Sequence, residues 1–243
     1  MKLLNLGCGT RTTTFAECVN IDQTVYLRLK KNPLLRYLAP LVLRGPRLER
    51  FKSLPENILV HNLSQGIPFP DSSVDAVYHS HLLEHLDKEV AIAFTKQIYR
   101  VLRPNGLIRI SIPDFERYAR DYINALDSNY DFQSINIDTE KFIDNMIGQS
   151  VMRNSLGTVK QQRILRFLEN LILGDARKRG YTHQWMYDRY SIYKLLSGVG
   201  FADVTIAKYN ESSIPDWDSI SLDSMPDGSE YLPESIYIEA RKP

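Results

Sequence analysis

Short apolar runs alternate with turn residues through the first half of the chain. The runs at residues 3–6, 18–21, 58–63, 74–78 and 107–112 each predict a buried strand. Between the last two, Val90, Phe94 and Ile98 recur every four residues and predict an amphipathic helix that stops at Pro104-Asn-Gly106. Strands alternating with a helix in this way favour an α/β fold with a parallel sheet.

The alternation of strands and helix ends after the fifth predicted strand. Asp114 can cap a helix that begins at Phe115, and apolar positions at 142–147 and 164–172 predict two more helices. We therefore predict a single domain over 1–243 in which 114–186 is a helical insertion that closes over the active site. A helix over 188–197 and two strands, at 201–209 and 235–240, end the chain as an antiparallel edge pair.

Composition sets broad limits on the class of protein. The 243 residues carry a net charge of +1, which gives no general signal for binding polyanions, and we expect no nucleic-acid partner. Two cysteines, Cys8 and Cys18, are too few for a disulfide framework. Because no apolar run is long enough for a signal sequence or a membrane span, we expect a soluble cytoplasmic protein.

Charge is nevertheless distributed unevenly along the chain. Residues 28–52 contain eight Lys or Arg residues and one acid, mixed with leucines and interrupted by Pro33, Pro40 and Pro46. The prolines exclude a long regular helix. The stretch is either a solvated, partly buried excursion or a surface for an anionic acceptor or for peripheral membrane contact.

A glycine turn after the first strand indicates a nucleoside cofactor. Gly7 and Gly9 allow a sharp turn and close approach of a ligand to backbone amides. Asp22 ends the second predicted strand, where a carboxylate can accept hydrogen bonds from both ribose hydroxyls. The third glycine of a dinucleotide fingerprint is missing, which argues against a pyrophosphate-containing cofactor.

Several motifs together resemble class I S-adenosylmethionine-dependent methyltransferases of the type 11 group. They are Leu3-Asn-Leu-Gly-Cys-Gly9, Val19-Asn-Ile-Asp22, Ile67-Pro-Phe-Pro-Asp-Ser-Ser-Val-Asp75, His81-Leu-Leu-Glu-His85 and Arg100-Val-Leu-Arg-Pro-Asn-Gly106. The resemblance implies a Rossmann-like fold with a mostly parallel seven-stranded sheet, an antiparallel edge, and S-adenosylmethionine as cofactor. The later Thr182-His-Gln-Trp-Met-Tyr-Asp188 resembles methyltransferases encoded with polysaccharide or glycosyl-transfer functions.

The resemblance also implies a set of cofactor-binding residues. The glycine turn would face the methionine part, Asp22 the ribose, Asn62-Leu63 the adenine and His79-Ser80 the methionyl side. The predicted set is Asn5, Gly7, Cys8, Gly9, Asp22, Asn62, Leu63, His79 and Ser80. Asn5 and Asn62 stand where relatives often have acids, and the connection from Gly9 to Cys18 is too short for the usual first helix.

The motif His81-Leu-Leu-Glu84-His85 also fits the inverted zinc-peptidase pattern. Two histidines four residues apart with a carboxylate between them are chemically able to bind zinc. The sequence offers no Cys/His cluster as a third ligand, although a distant Glu stays open. We therefore expect no metal.

Three residues are candidates for a catalytic base. His183 lies between aromatic residues that suit a sugar, His81 follows the fourth strand, and Asp114 follows the fifth, where its alternative role is the helix cap. Arg177, Lys178 and Arg179 could meet a phosphate on the acceptor. These features favour O-methylation of a sugar or glycan; alternatives are a lipid or small aromatic acceptor, or a non-catalytic cofactor-binding regulatory protein. The oligomeric state is left open.

Overall fold

The computed structural model describes residues 1–43, 45–127, 141–143, 146–147 and 183–243. Seven strands form one sheet in the order β3-β2-β1-β4-β5-β7-β6. The strands are β1 (Leu3–Leu6), β2 (Cys18–Asp22), β3 (Ile58–Val60), β4 (Val74–Ser80), β5 (Leu102–Pro113), β6 (Ala202–Ala207) and β7 (Ser235–Arg241). The pairs among β1 to β5 are parallel, whereas β7 runs antiparallel to both β5 and β6. The predicted fold class is confirmed.

Helices cover both faces of this sheet. They are α1 (Val25–Lys31), α2 (Pro33–Val42), α3 (Pro46–Ser53), α4 (Lys88–Val101), α5 (Phe115–Asp127), α6 (Arg189–Val199) and α7 (Trp217–Ile220). On one face, α4 and α6 bury Ile98 and Leu196 in a core with Leu4 and Ile108. On the other face, Trp217 and Ile220 of α7 pack against Leu3, Ala76 and Tyr78.

The basic stretch 28–52 forms short helices that begin at Pro33 and Pro46 as predicted, whereas Pro40 lies inside α2 and does not interrupt it. Pro33 and Pro46 each occupy the first turn of a helix, where the missing N–H costs nothing. The side chain of Asn32 caps α2 by accepting hydrogen bonds from the amides of Leu34 and Leu35, both at 3.1 Å. The segment between β2 and β3 is therefore helical in pieces of 7, 10 and 8 residues.

The helical insertion is described only in part, at 114–127, 141–143, 146–147 and 183–186. Helix α5 begins where predicted: Asp114 Oδ1 accepts a hydrogen bond at 3.0 Å from the backbone N–H of Glu116. The helix predicted at 164–172, and Arg177, Lys178 and Arg179, lie outside the described residues. The insertion therefore stays a prediction.

Candidate active site

A cleft of about 450 Å³ opens at the carboxyl ends of β1 and β4. These two neighbouring strands connect outward to opposite sides of the sheet, the point where α/β sheets bind ligands. The residues that line the cleft come from the glycine turn, from the end of β4 and from the segment before β7. They are Asn5, Gly7, Cys8, Gly9, Thr10, Arg11, Ser53, Tyr78, Ser80, His81, Tyr231 and Leu232.

The glycine turn presents open backbone to this cleft. Gly7 and Gly9 have φ values of +64° and +55°, a region that favours glycine. A Cβ added at Gly9 would meet no atom within 4 Å, so the turn borders empty space there. A Cβ at Gly7 would lie 3.0 Å from the side chain of Leu82. The turn therefore leaves room for a ligand to approach the backbone closely at Gly9.

Asp22 holds the shape of this turn. One carboxylate oxygen accepts a hydrogen bond from the Gly9 amide at 2.7 Å, and the other accepts from Gln23 and Thr24 amides at 2.5 and 2.9 Å. The side chain is half-buried, at the end of β2 as predicted. Because the oxygen that accepts from Gly9 has a second lone pair, the group can still accept from a ligand hydroxyl.

Asn5 has a structural role that sequence reasoning did not identify. Its amide is buried and donates hydrogen bonds at 2.9 Å both to the Arg11 carbonyl and to Asn20 Oδ1. Asn20 in turn donates to the Thr13 carbonyl at 3.1 Å. These bonds fix the irregular loop between Gly9 and Cys18, which contains no helix, as its length predicted.

The other predicted cofactor residues take different positions. Asn62 caps a single 3-10 turn at Leu63–Gln65 and lies beside Asp22, because the His61 amide donates to the Asp22 carbonyl at 3.0 Å. His79 has no exposed surface: its ring packs edge-on against Phe94, and burial lowers its pKa to about 4. The His79 side chain is thus a neutral core residue that does not line the cleft, whereas Ser80 does.

Cys8 lines the cleft without being a nucleophile. Both cysteines are free, and burial raises the pKa of Cys18 to about 12. Burial and the nearby Asp22 carboxylate raise the pKa of the Cys8 thiol further. A thiol that stays protonated reacts poorly.

His81 faces the cleft with an acid behind it. Its Nδ1 lies 3.3 Å from Glu84 Oε1, an ion-pair contact, and its Nε2 lies 2.9 Å from Ser235 Oγ. Glu84 is 1% exposed; burial alone would raise its pKa, but the imidazoles of His81 and His85 outweigh burial and hold the pKa below its ordinary value. With Nδ1 protonated toward Glu84, Nε2 accepts a hydrogen bond from the Ser235 hydroxyl.

His183 and Asp114 lie elsewhere. The His183 ring stacks edge-to-face on His85 with centroids 4.8 Å apart, and His183 does not line the cleft described above. Asp114 caps α5, and its backbone bridges to Tyr187 and Glu234. Burial raises the pKa of Asp114, yet the side chain is absent from the cleft lining as well.

Sequence reasoning missed one wall of the cleft. Tyr231 and Leu232 belong to the acidic stretch after β6, which has no motif and lies far from the glycine turn in sequence. Arg11 connects the loop after the glycine turn to this acidic stretch. Its guanidinium lies 4.3 Å from the Tyr231 ring centroid and donates to the Leu222 carbonyl at 3.0 Å. Only the fold brings this segment to the cofactor side.

Comparison with known families identifies the first part of the chain. Residues 4–110 match the family model Methyltransf_11, described as a methyltransferase domain. This part of the chain is a methyltransferase domain. It includes the glycine turn, Asp22 and His81, and the match supports S-adenosylmethionine-dependent methyl transfer. Comparison with curated proteins gives no significant match.

Solved structures of methyltransferases align with this chain at low similarity. An S-adenosylmethionine-dependent methyltransferase from Methanosarcina mazei aligns at 15% identity with a TM-score of 0.47, over 99% of this chain and 92% of that chain. One from Archaeoglobus fulgidus aligns at 16% identity with a TM-score of 0.43, over 99% and 86%. One from Mesorhizobium loti aligns at 12% identity with a TM-score of 0.43, over 99% and 90%. We draw no functional conclusion from these neighbours.

The glycine turn that lines the cleft fits the cofactor together with Asp22, which is not part of the lining but accepts a hydrogen bond from Gly9. S-adenosylmethionine needs an acceptor for its ribose hydroxyls and close backbone approach for its methionine part, and Asp22 and the open Gly9 turn offer these. When bound, the cofactor supplies an activated methyl group. The protein must then align the acceptor and, for a hydroxyl acceptor, remove its proton.

We expect Asp22→Ala and Asp22→Asn to weaken S-adenosylmethionine binding about 10- to 150-fold, the equivalent of ~1.5–3 kcal/mol for a hydrogen bond to a charged group. Asn keeps the shape, but its single acceptor oxygen cannot serve the ligand and all three backbone amides. Calorimetry would measure this, with Asp203→Asn, on a 75% exposed side chain at the far edge of the sheet, as the control. Unchanged affinity in both Asp22 variants would remove Asp22 from the ribose site.

Proposed function

We propose that the enzyme transfers a methyl group to a hydroxyl of a sugar, a glycan or a related small polar molecule. The observation that carries this proposal is the 2.9 Å distance between His81 Nε2 and a hydroxyl oxygen, that of Ser235, at the cleft. A hydroxyl acceptor needs that geometry to lose its proton to a base during transfer. Glu84, behind the imidazole, would stabilise the positive charge that His81 gains.

The choice of base follows from the position of each histidine. His81 replaces His183 as the first candidate, because His81 lines the cleft and His183 does not. Asp114 is the third candidate, and its hydrogen bonds are those of a helix cap. His81 also directly follows Ser80, which ends β4 on the side where the methionyl part of the cofactor is predicted to bind.

A polar ring suits the walls of the cleft. Thr10, Ser53 and Ser80 line it, and Tyr231 adds an aromatic surface beside the Arg11 guanidinium. Aromatic faces with a few convergent polar groups are typical of sites that bind small polar ligands. The resemblance of 182–188 to methyltransferases of polysaccharide synthesis points in the same direction.

The test is an acceptor panel. Purified protein with S-adenosylmethionine would be incubated with nucleotide sugars and simple glycosides, with phenols, and with lipids, and S-adenosylhomocysteine and product mass would be measured. We expect turnover with a sugar class and a mass gain of one methyl group on a hydroxyl. Turnover with phenols or lipids alone would replace the sugar with the runner-up acceptors.

We further propose that helix α2 contacts an anionic membrane surface. Leu34, Tyr37, Leu38 and Leu41 share one face of α2 and are 68%, 80%, 45% and 72% exposed. The helix lies within the basic stretch 28–52, whose charge complements anionic lipid. No helix among the described residues is long and apolar enough to cross a bilayer, so the contact would be peripheral.

We expect the protein to sediment with vesicles that contain phosphatidylserine and to be released at high salt. Leu41→Glu should weaken this binding at least about tenfold, because one leucine buried in the interface contributes ~1.5–3 kcal/mol. Ile206→Glu is the matched control, since Ile206 is 60% exposed on β6 at the far edge of the sheet. Equal loss in both variants, or no binding by the unchanged protein, would contradict the proposal.

A further inference from the structure

Three potential metal ligands meet beside the cleft. Glu84, His85 and His183 each place one ligand atom so that all three atoms lie within 4.8 Å of one another. Two of them are adjacent in the sequence, and the third is almost a hundred residues away. The sequence offered no third ligand beside His81-Leu-Leu-Glu-His85, and the fold supplies one.

The carboxylate of Glu84 is buried and has unused hydrogen-bond acceptor positions. It is 1% exposed, and neither oxygen makes a hydrogen bond to any residue that the structure describes. His81 Nδ1 approaches one oxygen at ion-pair distance, 3.3 Å. A buried carboxylate with unused acceptor positions is costly unless a cation or donor completes it. This is the observation that points to a ligand.

The backbone holds the distant histidine in place. The Glu84 carbonyl accepts hydrogen bonds from the amides of Gln184, at 2.6 Å, and Trp185, at 3.2 Å. The Lys88 ammonium lies 3.3 Å from the centroid of the Trp185 ring, which attaches the same segment to the start of α4. The residue after His183 is therefore bound to the residue that carries the carboxylate, so the three ligands do not meet by a chance side-chain contact.

We propose that Glu84, His85 and His183 bind one divalent transition-metal cation of the zinc class. Two imidazoles and one carboxylate are a donor set that zinc accepts, and three protein ligands leave a further position for water or another oxygen donor. Magnesium, which prefers oxygen ligands, fits this set poorly. The inference does not depend on the identity of the methyl acceptor, because it concerns cation binding alone.

The experiment is a titration of chelator-treated protein with Co²⁺ and Zn²⁺. We expect one Co²⁺ per chain, visible absorption bands typical of low coordination number, and displacement of Co²⁺ by Zn²⁺. His183→Ala should lower the affinity at least tenfold and abolish the bands, and Glu84→Gln should do the same. His61→Asn is the matched control: His61 Nε2 contacts the Gly66 carbonyl at 2.9 Å, and its loss should leave Co²⁺ binding unchanged.

Each variant would be checked for folding by circular dichroism, because Glu84 is buried. His183 is only half-buried and lies in an irregular segment, so His183→Ala keeps the test valid if Glu84→Gln fails to fold. Substoichiometric binding to the unchanged protein would overturn the proposal. So would stoichiometric Co²⁺ binding with the same affinity in the folded His183→Ala variant.

Discussion

Replacing His81 with asparagine is expected to lower turnover about 10²–10⁴-fold, the contribution of a positioned general base. S-adenosylmethionine affinity should change little, because the proposed cofactor contacts, the glycine turn and Asp22, do not involve this imidazole. Asparagine is the suitable replacement: His81 has φ +47°, and among non-glycine residues Asn adopts this region readily. Its side-chain amide can also donate to Glu84 in place of the ion-pair contact of His81 Nδ1, which separates the loss of the base from the loss of a partner for the buried acid.

The measurement is kcat with a saturating acceptor, together with a cofactor dissociation constant from calorimetry. His61→Asn is the control, because this histidine is half-buried and lies outside the cleft lining. A fall in kcat of less than about tenfold in His81→Asn would contradict the role of His81 as the base. A parallel loss of cofactor affinity would instead make His81 part of the binding site.

The sequence predicted features that local patterns determine. Strands β1, β4 and β5 are buried along most of their length, and largely apolar runs marked all three. The glycine turn and the acid that ends β2 were predictable because both lie at strand ends, where parallel sheets bind ligands. Helix α6 could be predicted from its cap, since Asp188 and Ser191 form a reciprocal capping box.

Features that need distant residues could not be predicted in the same way. Tyr231 reaches the cleft because Asp223, buried below it, accepts at its carbonyl a 2.8 Å hydrogen bond from the Tyr231 amide. His183 meets Glu84 only because the backbone after His183 bonds to the Glu84 carbonyl. His79 is on the strand that ends at the cleft, yet the two-residue alternation of a strand turns its ring to the opposite face. No pattern within one segment records which distant segment it will contact.

A buried cation was also absent from the sequence-based description. Arg109 lies in the middle of β5 with no exposed surface, in a run of otherwise apolar or small residues. Its guanidinium donates at 2.8 Å to Asp223 and to Glu239, and further bonds reach the carbonyls of Lys208 and Glu211, also at 2.8 Å. The Tyr78 hydroxyl donates to the other Asp223 oxygen. One side chain thus joins β5 and β7 to the segment that forms the Tyr231 wall.

Arg109→Met is therefore expected to lower the free energy of unfolding by about 3–5 kcal/mol. Methionine fills much of the same volume, but it leaves the carboxylates of Asp223 and Glu239 buried without their cation. Denaturant unfolding measures the change by linear extrapolation. Arg103→Met is the matched control, because Arg103 pairs with Asp75 at 2.8 Å on a half-exposed surface and should contribute less than about 1 kcal/mol.

Further substitutions in the Arg109→Met variant separate its effect on stability from its effect on the shape of the cleft. Adding Asp223→Asn and Glu239→Gln to Arg109→Met should restore part of the lost stability, because no buried charge is then unpaired. The triple variant should still lose acceptor turnover, since the guanidinium no longer holds the segment that carries Tyr231. If Arg109→Met alone lowers the free energy of unfolding by about 1 kcal/mol or less, water reaches Asp223 and Glu239. The Arg109 network would then not be what holds the Tyr231 segment in place.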